Sequence, residues 1–281
     1  MNAALVIASL TIREAVRRRL VFALGAITVS LVGLSSWGFG RLSHNDRMTS
    51  GENQIAMATA FILFMFMFSF VLALSASAIA SPAVSAEVES GVMQAIATRP
   101  VRRSEVLLGK WLGLAALLAG YTAVVSALEV AVVDSVSGYV APNPVAAGVF
   151  VFAESAVLLT LVLLLSVRLS PLAAGVIGVA LFGATWLAGV VGTLGQAFHI
   201  SALETASHVS QYLLPTDGLW HAAIYYLEPS SYLVSQLADQ GSRGDPFFAG
   251  TAPSAGYLAW AAIWCLVILA AGLVSFERRE L

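Results

Sequence analysis

Between Ile55 and Ser81 the chain carries no charged side chain, and few folds can hold such a run. A bilayer hydrocarbon core of about 30 Å is crossed by about 20 helical residues, so this stretch is long enough to span one. A soluble domain carries charge on about a quarter of its residues. Here charged residues make up 11% of 281, and hydrophobic ones 59%. In lipid every backbone N–H and C=O must find a partner inside the protein, which leaves helices or closed barrels. The apolar runs show no period-two alternation, so helices are the expected solution. The fold class reads as an all-α membrane protein.

Further apolar runs extend the pattern to six expected spans, at 20–40, 55–81, 106–133, 145–167, 171–194 and 255–276. The whole chain then reads as one transmembrane domain, with residues 1–19 before the first span, 195–254 outside between the fifth and sixth, and a tail at 277–281. An even number of crossings puts both termini on one side. That side carries Arg13, Arg17, Arg18, Arg19, Arg99, Arg102, Arg103, Lys110, Arg168, Arg278 and Arg279. The opposite side keeps Arg41, Arg47 and Arg243. Cytoplasmic loops retain Lys and Arg, so both termini are expected in the cytoplasm of a plasma (inner) membrane protein.

The N-terminal segment is not patterned as a cleaved signal, because its apolar stretch 3–12 precedes its basic cluster. Leu5, Ala8, Ile12, Ala15 and Val16 form one stripe at helical spacing, with Arg13, Glu14, Arg17 and Arg18 off it. Two readings stand. Either this is a helix lying in the inner interface, its arginines at anionic headgroups, or the arginines through Arg19 only anchor the first span. The stripe favours the interfacial helix.

Between the second and third runs lies a polar island, Glu87 to Gly113. It contains Glu87, Glu89 and Gly91, then Arg99, Pro100, Val101, Arg103 and Glu105, then Gly109 and Lys110. With six spans, an N-terminal interfacial helix and the basic tail Glu277 to Leu281, this pattern resembles the type-2 permeases of ATP-binding cassette (ABC) exporters. The resemblance implies a permease that pairs with a second copy or a homologue and is driven by separate cytoplasmic ABC ATPase subunits. ATP and Mg would be held by that partner, and no cofactor by this chain. It also implies that Glu87, Glu89, Gly91, Arg99, Arg102, Arg103 and Glu105 couple the membrane domain to the ATPase. The lone lysine agrees by omission: Gly109-Lys110 is followed by Trp111, and Ser104 stands where a phosphate-binding loop needs glycine. Besides these proteins the expected partners are membrane lipids, with no nucleic acid.

Pro82 disfavours helical continuation at Ser81, and Ser90 is placed to cap a short helix through Met93 and Ile96 that ends before Pro100. Such a helix could seat in a groove of a soluble partner. The competing reading is that the acids only cap it and the arginines only obey the charge rule.

In the outer segment, Pro215-Thr216-Asp217-Gly218 marks a turn and helix start, with Thr216 or Asp217 as the expected cap. Leu219, Trp220, Ala223, Ile224 and Leu227 recur at helical spacing beyond it. This predicts a helix at the outer headgroup level, serving either as an exit gate or as a lid. His199, His208 and His221 are too widely spaced for a compact metal site, and none is expected. Glu154 falls in the outer half of the fourth span and Glu129 near the outer end of the third, where it is expected to reach headgroups. An acid inside the slab is costly and marks either a pathway or a hydrogen-bonded burial; both readings apply to Glu154. Glycines 175, 178, 183, 189 and 192 make the fifth span a candidate contact face. The run Phe61, Phe64, Met65, Phe66, Met67, Phe68 and Phe70 is expected to face lipid rather than a pathway.

Two rival functions remain open. One is an anchor that relays ATPase strokes to an outside partner through 195–254 without moving cargo; the other is an ion-driven carrier. A membrane-embedded enzyme has no HExxH, paired aspartates or Ser-His arrangement to support it.

Overall fold

The computed structural model describes residues 3–17, 19–43, 50–91, 102–230 and 245–279. Among these the elements are helical: α1 (Ala3–Arg17), α2 (Arg19–Ser43), α3 (Ser50–Ala80), α4 (Pro82–Glu89), α5 (Arg103–Ser137), α6 (Pro144–Ser166), α7 (Pro171–Phe198), α8 (Ser201–Leu213), α9 (Thr216–Leu227) and α10 (Ala255–Glu277). Among the described residues five helices are long and apolar enough to cross a membrane: Gly51–Glu89, Arg103–Ser137, Pro144–Ser166, Pro171–Phe198 and Ala255–Glu277. This is a multi-pass helical membrane protein. In α2 the polar Thr28 and Ser35 turn inward, and Thr28 shares a 2.5 Å hydrogen bond with Tyr121 of α5.

α6 is the hub, packed against α3, α4, α5, α7, α9 and α10. Its N-terminus is set by Pro144 at the first turn and by Asn143, whose side chain accepts the Ala146 N–H. The main core threads Leu72, Leu114, Leu118, Val151, Leu158 and Val162. A second core at the basic end gathers Val84, Val106, Leu107, Leu163, Val167 and Phe276, joining α4, α5, α6 and α10.

Several expectations change here. The helix does not break at Pro82. Ser81 stays in the right-handed helical region (φ −58°, ψ −43°), its N–H still reaches Ser77 O at 3.0 Å, and Ser85 Oγ donates to Ser81 O. Proline removes only its own donor, and α4 carries the axis on to Glu89. Ser90 sits at that helix's C-terminus, its N–H bonded to Ala86 O, followed by Gly91 at φ +74°, a conformation glycine adopts freely. The predicted helix through Met93 and Ile96 lies outside the described residues. The aromatic run of α3 points mainly inward: Phe61, Met65, Phe66 and Phe68 are buried. Phe66 touches Phe70, Trp186, Trp220 and Phe247.

The outer segment departs most. α7 ends at His199, left-handed at φ 55°, and α8 folds straight back beside it. A Cβ on Gly195 would press on Leu203 and Glu204, and one on Gly192 would overlap Ser207. Farther in, Thr185 Oγ1 meets Thr216 Oγ1 at 2.8 Å. α9 then climbs outward, so that the Tyr226 carbonyl accepts the Asn143 N–H at 3.0 Å. The tip residues Leu214 and Leu219 cluster with Val157 of α6 and Ala261 of α10. At 1.5 Å per residue Val157 lies about 20 Å below Asn143. α8 and α9 therefore form a re-entrant hairpin reaching roughly the middle of the slab, not a helix at headgroup level. Non-helical backbone at that depth is tolerated because protein surrounds it.

Candidate functional site

The polar groups gather at two ends of the bundle. At the basic end Lys110 is 5% exposed. Its ammonium donates to Ala83 O at 2.6 Å and to Glu87 Oε1 at 2.5 Å. Those acceptors are one turn apart on α4, so one side chain of α5 clamps the helix just past Pro82. Glu87 Oε2 is buried without a hydrogen-bond partner. Arg103 Nη1 donates to Arg279 O at 2.6 Å, Arg168 donates to Ser275 Oγ and O at 2.8 and 3.1 Å, and Arg279 Nη1 donates to Val167 O. Glu105 closes the start of α5, its carboxylate accepting the Arg102 N–H at 3.0 Å.

Thus Glu87, Arg103 and Glu105 are engaged within the chain, while Glu89 and Arg102 are exposed. Arg18 and Arg99 lie outside the described residues, as do the side chains of Arg17 and Arg19. Arg13 is exposed. α1 crosses the start of α5 at Gly109 and Gly113, where a Cβ would stand 2.7 Å from Ala4 O and Ala8 O respectively. Its buried residues are Ala8 and Ala15, while Leu5 and Val16 of the predicted stripe are 60% and 49% exposed. A cavity of about 470 Å³ opens beside the clamp, lined by Thr11, Glu14, Pro82, Glu87, Ser90 and Lys110 among others.

At the outer end Glu154 is 4% exposed and accepts from Ser69 Oγ of α3 at 2.7 Å. Neither Thr216 nor Asp217 caps α9, which has no side-chain cap. Asp217 is buried at the hairpin tip instead, where Oδ2 accepts from Gln211 Nε2 at 3.0 Å and lies 3.5 Å from His221 Nδ1. Gly189 makes room for this carboxylate; a Cβ there would overlap it. Trp220 is 1% exposed, against Phe66 at 5.5 Å between ring centres. Glu129 is buried rather than raised to headgroups, with Oε1 unpartnered. At the hairpin's outer exit Glu228 accepts the Ala249 N–H at 2.8 Å. Burial pushes its carboxyl up to about 8, with the Ala249 bond lowering it and Asp245 raising it further.

A family model described as ABC-2 family transporter protein matches residues 5–281. The chain belongs to that family. It is thus a transmembrane, permease-type subunit, of a kind that works within ABC transporters. No curated protein matches it. The resemblance seen in the island residues holds over nearly the full length of this ABC-2 chain.

Two features escaped the sequence reading. The Lys110 clamp joins residues 23 apart with no local pattern; the signal was a lysine set one turn inside a span, a costly place for an unpaired charge. The hairpin was signalled by Gly189, Gly192 and Gly195 recurring every third residue of α7, one helical face cleared for a close neighbour.

Proposed function

We propose that this chain is the membrane half of an ABC exporter, crossing six times with α2 as the first span and α1 in the inner interface, both termini cytoplasmic in the plasma membrane. Two copies, or this chain and a homologue, pair and are driven by separate ATPase subunits that hold ATP and Mg. The single observation that carries the coupling reading is the Lys110 clamp. It fixes α4 to α5, so a push delivered at Glu89 or Arg102 moves the two helices together. Glu89 and Arg102 are the side chains offered to the ATPase; Glu87, Arg103 and Glu105 hold the frame. The outward-facing Leu5, Leu10 and Val16 of α1 support its lying in lipid, since its contact with α5 is already made by Ala4, Ile7, Ala8 and Thr11 against Gly109 and Gly113.

The test is to purify the tagged chain in mild detergent and identify what comes with it. A nucleotide-binding protein is expected, and Glu89→Lys with Arg102→Glu should release it without unfolding the chain. A chain that purifies alone, or a charge-reversed variant that keeps full ATP-driven activity, would defeat the reading.

A further inference from the structure

α8 stops short of Pro215, whose missing N–H leaves the Gln211 carbonyl without its helical donor. Three side chains of α10, at positions i, i+3 and i+7, supply donors to three successive carbonyls there. Tyr257 Oη reaches Gln211 O at 3.4 Å, Trp260 Nε1 reaches Tyr212 O at 3.1 Å, and Trp264 Nε1 reaches Leu213 O at 2.8 Å. The Tyr212 ring sits edge-on to Tyr257 and Trp260 at 6.0 and 6.4 Å. Tryptophan and tyrosine near a membrane surface ordinarily turn their polar groups to headgroups. Here they turn them into the protein.

The other end of α10 is fastened just as firmly, by Arg168 to Ser275 and by Arg103 and Arg279 across the start of the tail. Between the two fastenings α10 is lightly held, with Leu266 and Val267 66% and 59% exposed. Its 23 residues make a rod about 34 Å long, stiff along its axis. The hairpin's contacts with α6, by contrast, are, apart from the Asn143–Tyr226 hydrogen bond at the outer mouth, apolar packing and a Phe150–Tyr226 stack, which are non-directional and allow sliding.

We propose that α10 carries the movement of the basic end to the re-entrant hairpin, with Tyr257, Trp260 and Trp264 as positioning residues that set the hairpin's depth. This rests on the coupling reading above, because Arg103 ties the tail to the first turn after the coupling segment.

The test uses the chain in complex with its ATPase, on a Cys265→Ser background, with two spin-label pairs. Ser90→Cys with Leu172→Cys reports the basic end, and Val145→Cys with Val209→Cys reports the hairpin. In the otherwise unchanged protein both distances are expected to shift between the nucleotide-free and vanadate-trapped states. Trp260→Phe with Trp264→Phe keeps the rings and removes the donors; the basic-end shift should persist and the hairpin shift should vanish. Arg168→Met, which loosens the opposite end of the rod, should produce the same split. A hairpin shift that survives in both variants overturns the proposal, and so does loss of both shifts together, which would mark general damage. A basic-end pair that ignores nucleotide in the unchanged protein overturns the coupling reading itself, and this inference with it.

Discussion

The two ends of the bundle solve the same problem with different chemistry. At each end side chains donate to backbone carbonyls in largely apolar surroundings. The basic end uses full charges: the Lys110 ammonium on Ala83 O and Glu87, and guanidinium groups of Arg103, Arg168 and Arg279 on tail and loop carbonyls. The hairpin tip uses neutral donors, indole and phenol groups on carbonyls, and hydroxyl on hydroxyl at Thr185 and Thr216. The difference follows depth. The guanidinium groups lie near water, where charge is cheap to keep and their stems cover apolar surface, and the buried Lys110 keeps its charge by pairing with Glu87, whereas an unpaired cation at mid-slab costs several kcal/mol. Cationic donors therefore belong to the end offered to a soluble partner, and neutral donors to the carbonyls of the hairpin tip, where the buried acid Asp217 is held by Gln211 and lies beside His221.

The largest effect is expected where a charge is stranded. Lys110→Met leaves Glu87 beside the second core without its cation, and should destabilise by about 3–5 kcal/mol. Adding Glu87→Gln should recover part of that loss, read as a coupling energy in a double-mutant cycle of detergent unfolding. Equal losses in the single and double variants would mean that the pair carries no such energy.

The hairpin should break next, by volume. Gly192→Leu places a side chain where Ser207 lies and should cost about 1–3 kcal/mol by overpacking. It should also make a cysteine at Ser207 reactive toward water-soluble maleimide from outside. A Ser207 cysteine equally protected in both backgrounds would deny the close α7–α8 contact.

A smaller loss belongs to Ser69→Ala. It removes the hydroxyl that Glu154 accepts from and should cost about 1–3 kcal/mol, while Glu154→Gln, which keeps an acceptor, should cost less. The reverse order would mean that the Glu154 charge, rather than its hydrogen bond, matters.

How much of this contrast was legible beforehand depends on distance along the chain. The long helices were plain in uncharged runs such as 55–81, because a span's requirement is local and compositional. The hairpin was not. Leu219, Trp220, Ala223, Ile224 and Leu227 make an apolar face on a 12-residue helix, which suits a surface helix and an inserted one alike. Only its fit against Gly189, Gly192 and Trp264 decides, and those lie far away in sequence. Pro82 misled for a related reason: the penalty on Ser81 is real, but the Lys110 clamp and the burial of Val84 hold the axis through it.

The smallest effect concerns Glu228, where the hairpin leaves the bundle. Its folded carboxyl is held at about 8 by burial, above the ordinary value near 4.3. The folded state thus keeps a proton that the unfolded chain loses. The stability this brings is fully present below the ordinary value and is lost as pH rises through about 8. Thermal unfolding in detergent should show a falling midpoint from pH 5 to pH 9, flattened in Glu228→Gln, which keeps the acceptor for Ala249. An unchanged slope in that variant would place the titration elsewhere.

The account stands on which end faces the cytoplasm. With Cys265→Ser as background, single cysteines at Arg102 and Ser201 can be exposed to membrane-impermeant maleimide in right-side-out and inside-out vesicles. Residue 102 should label only in inside-out vesicles and residue 201 only in right-side-out ones. Labelling of residue 102 from outside the cell would contradict the account, because the charged end would then face away from any ATPase.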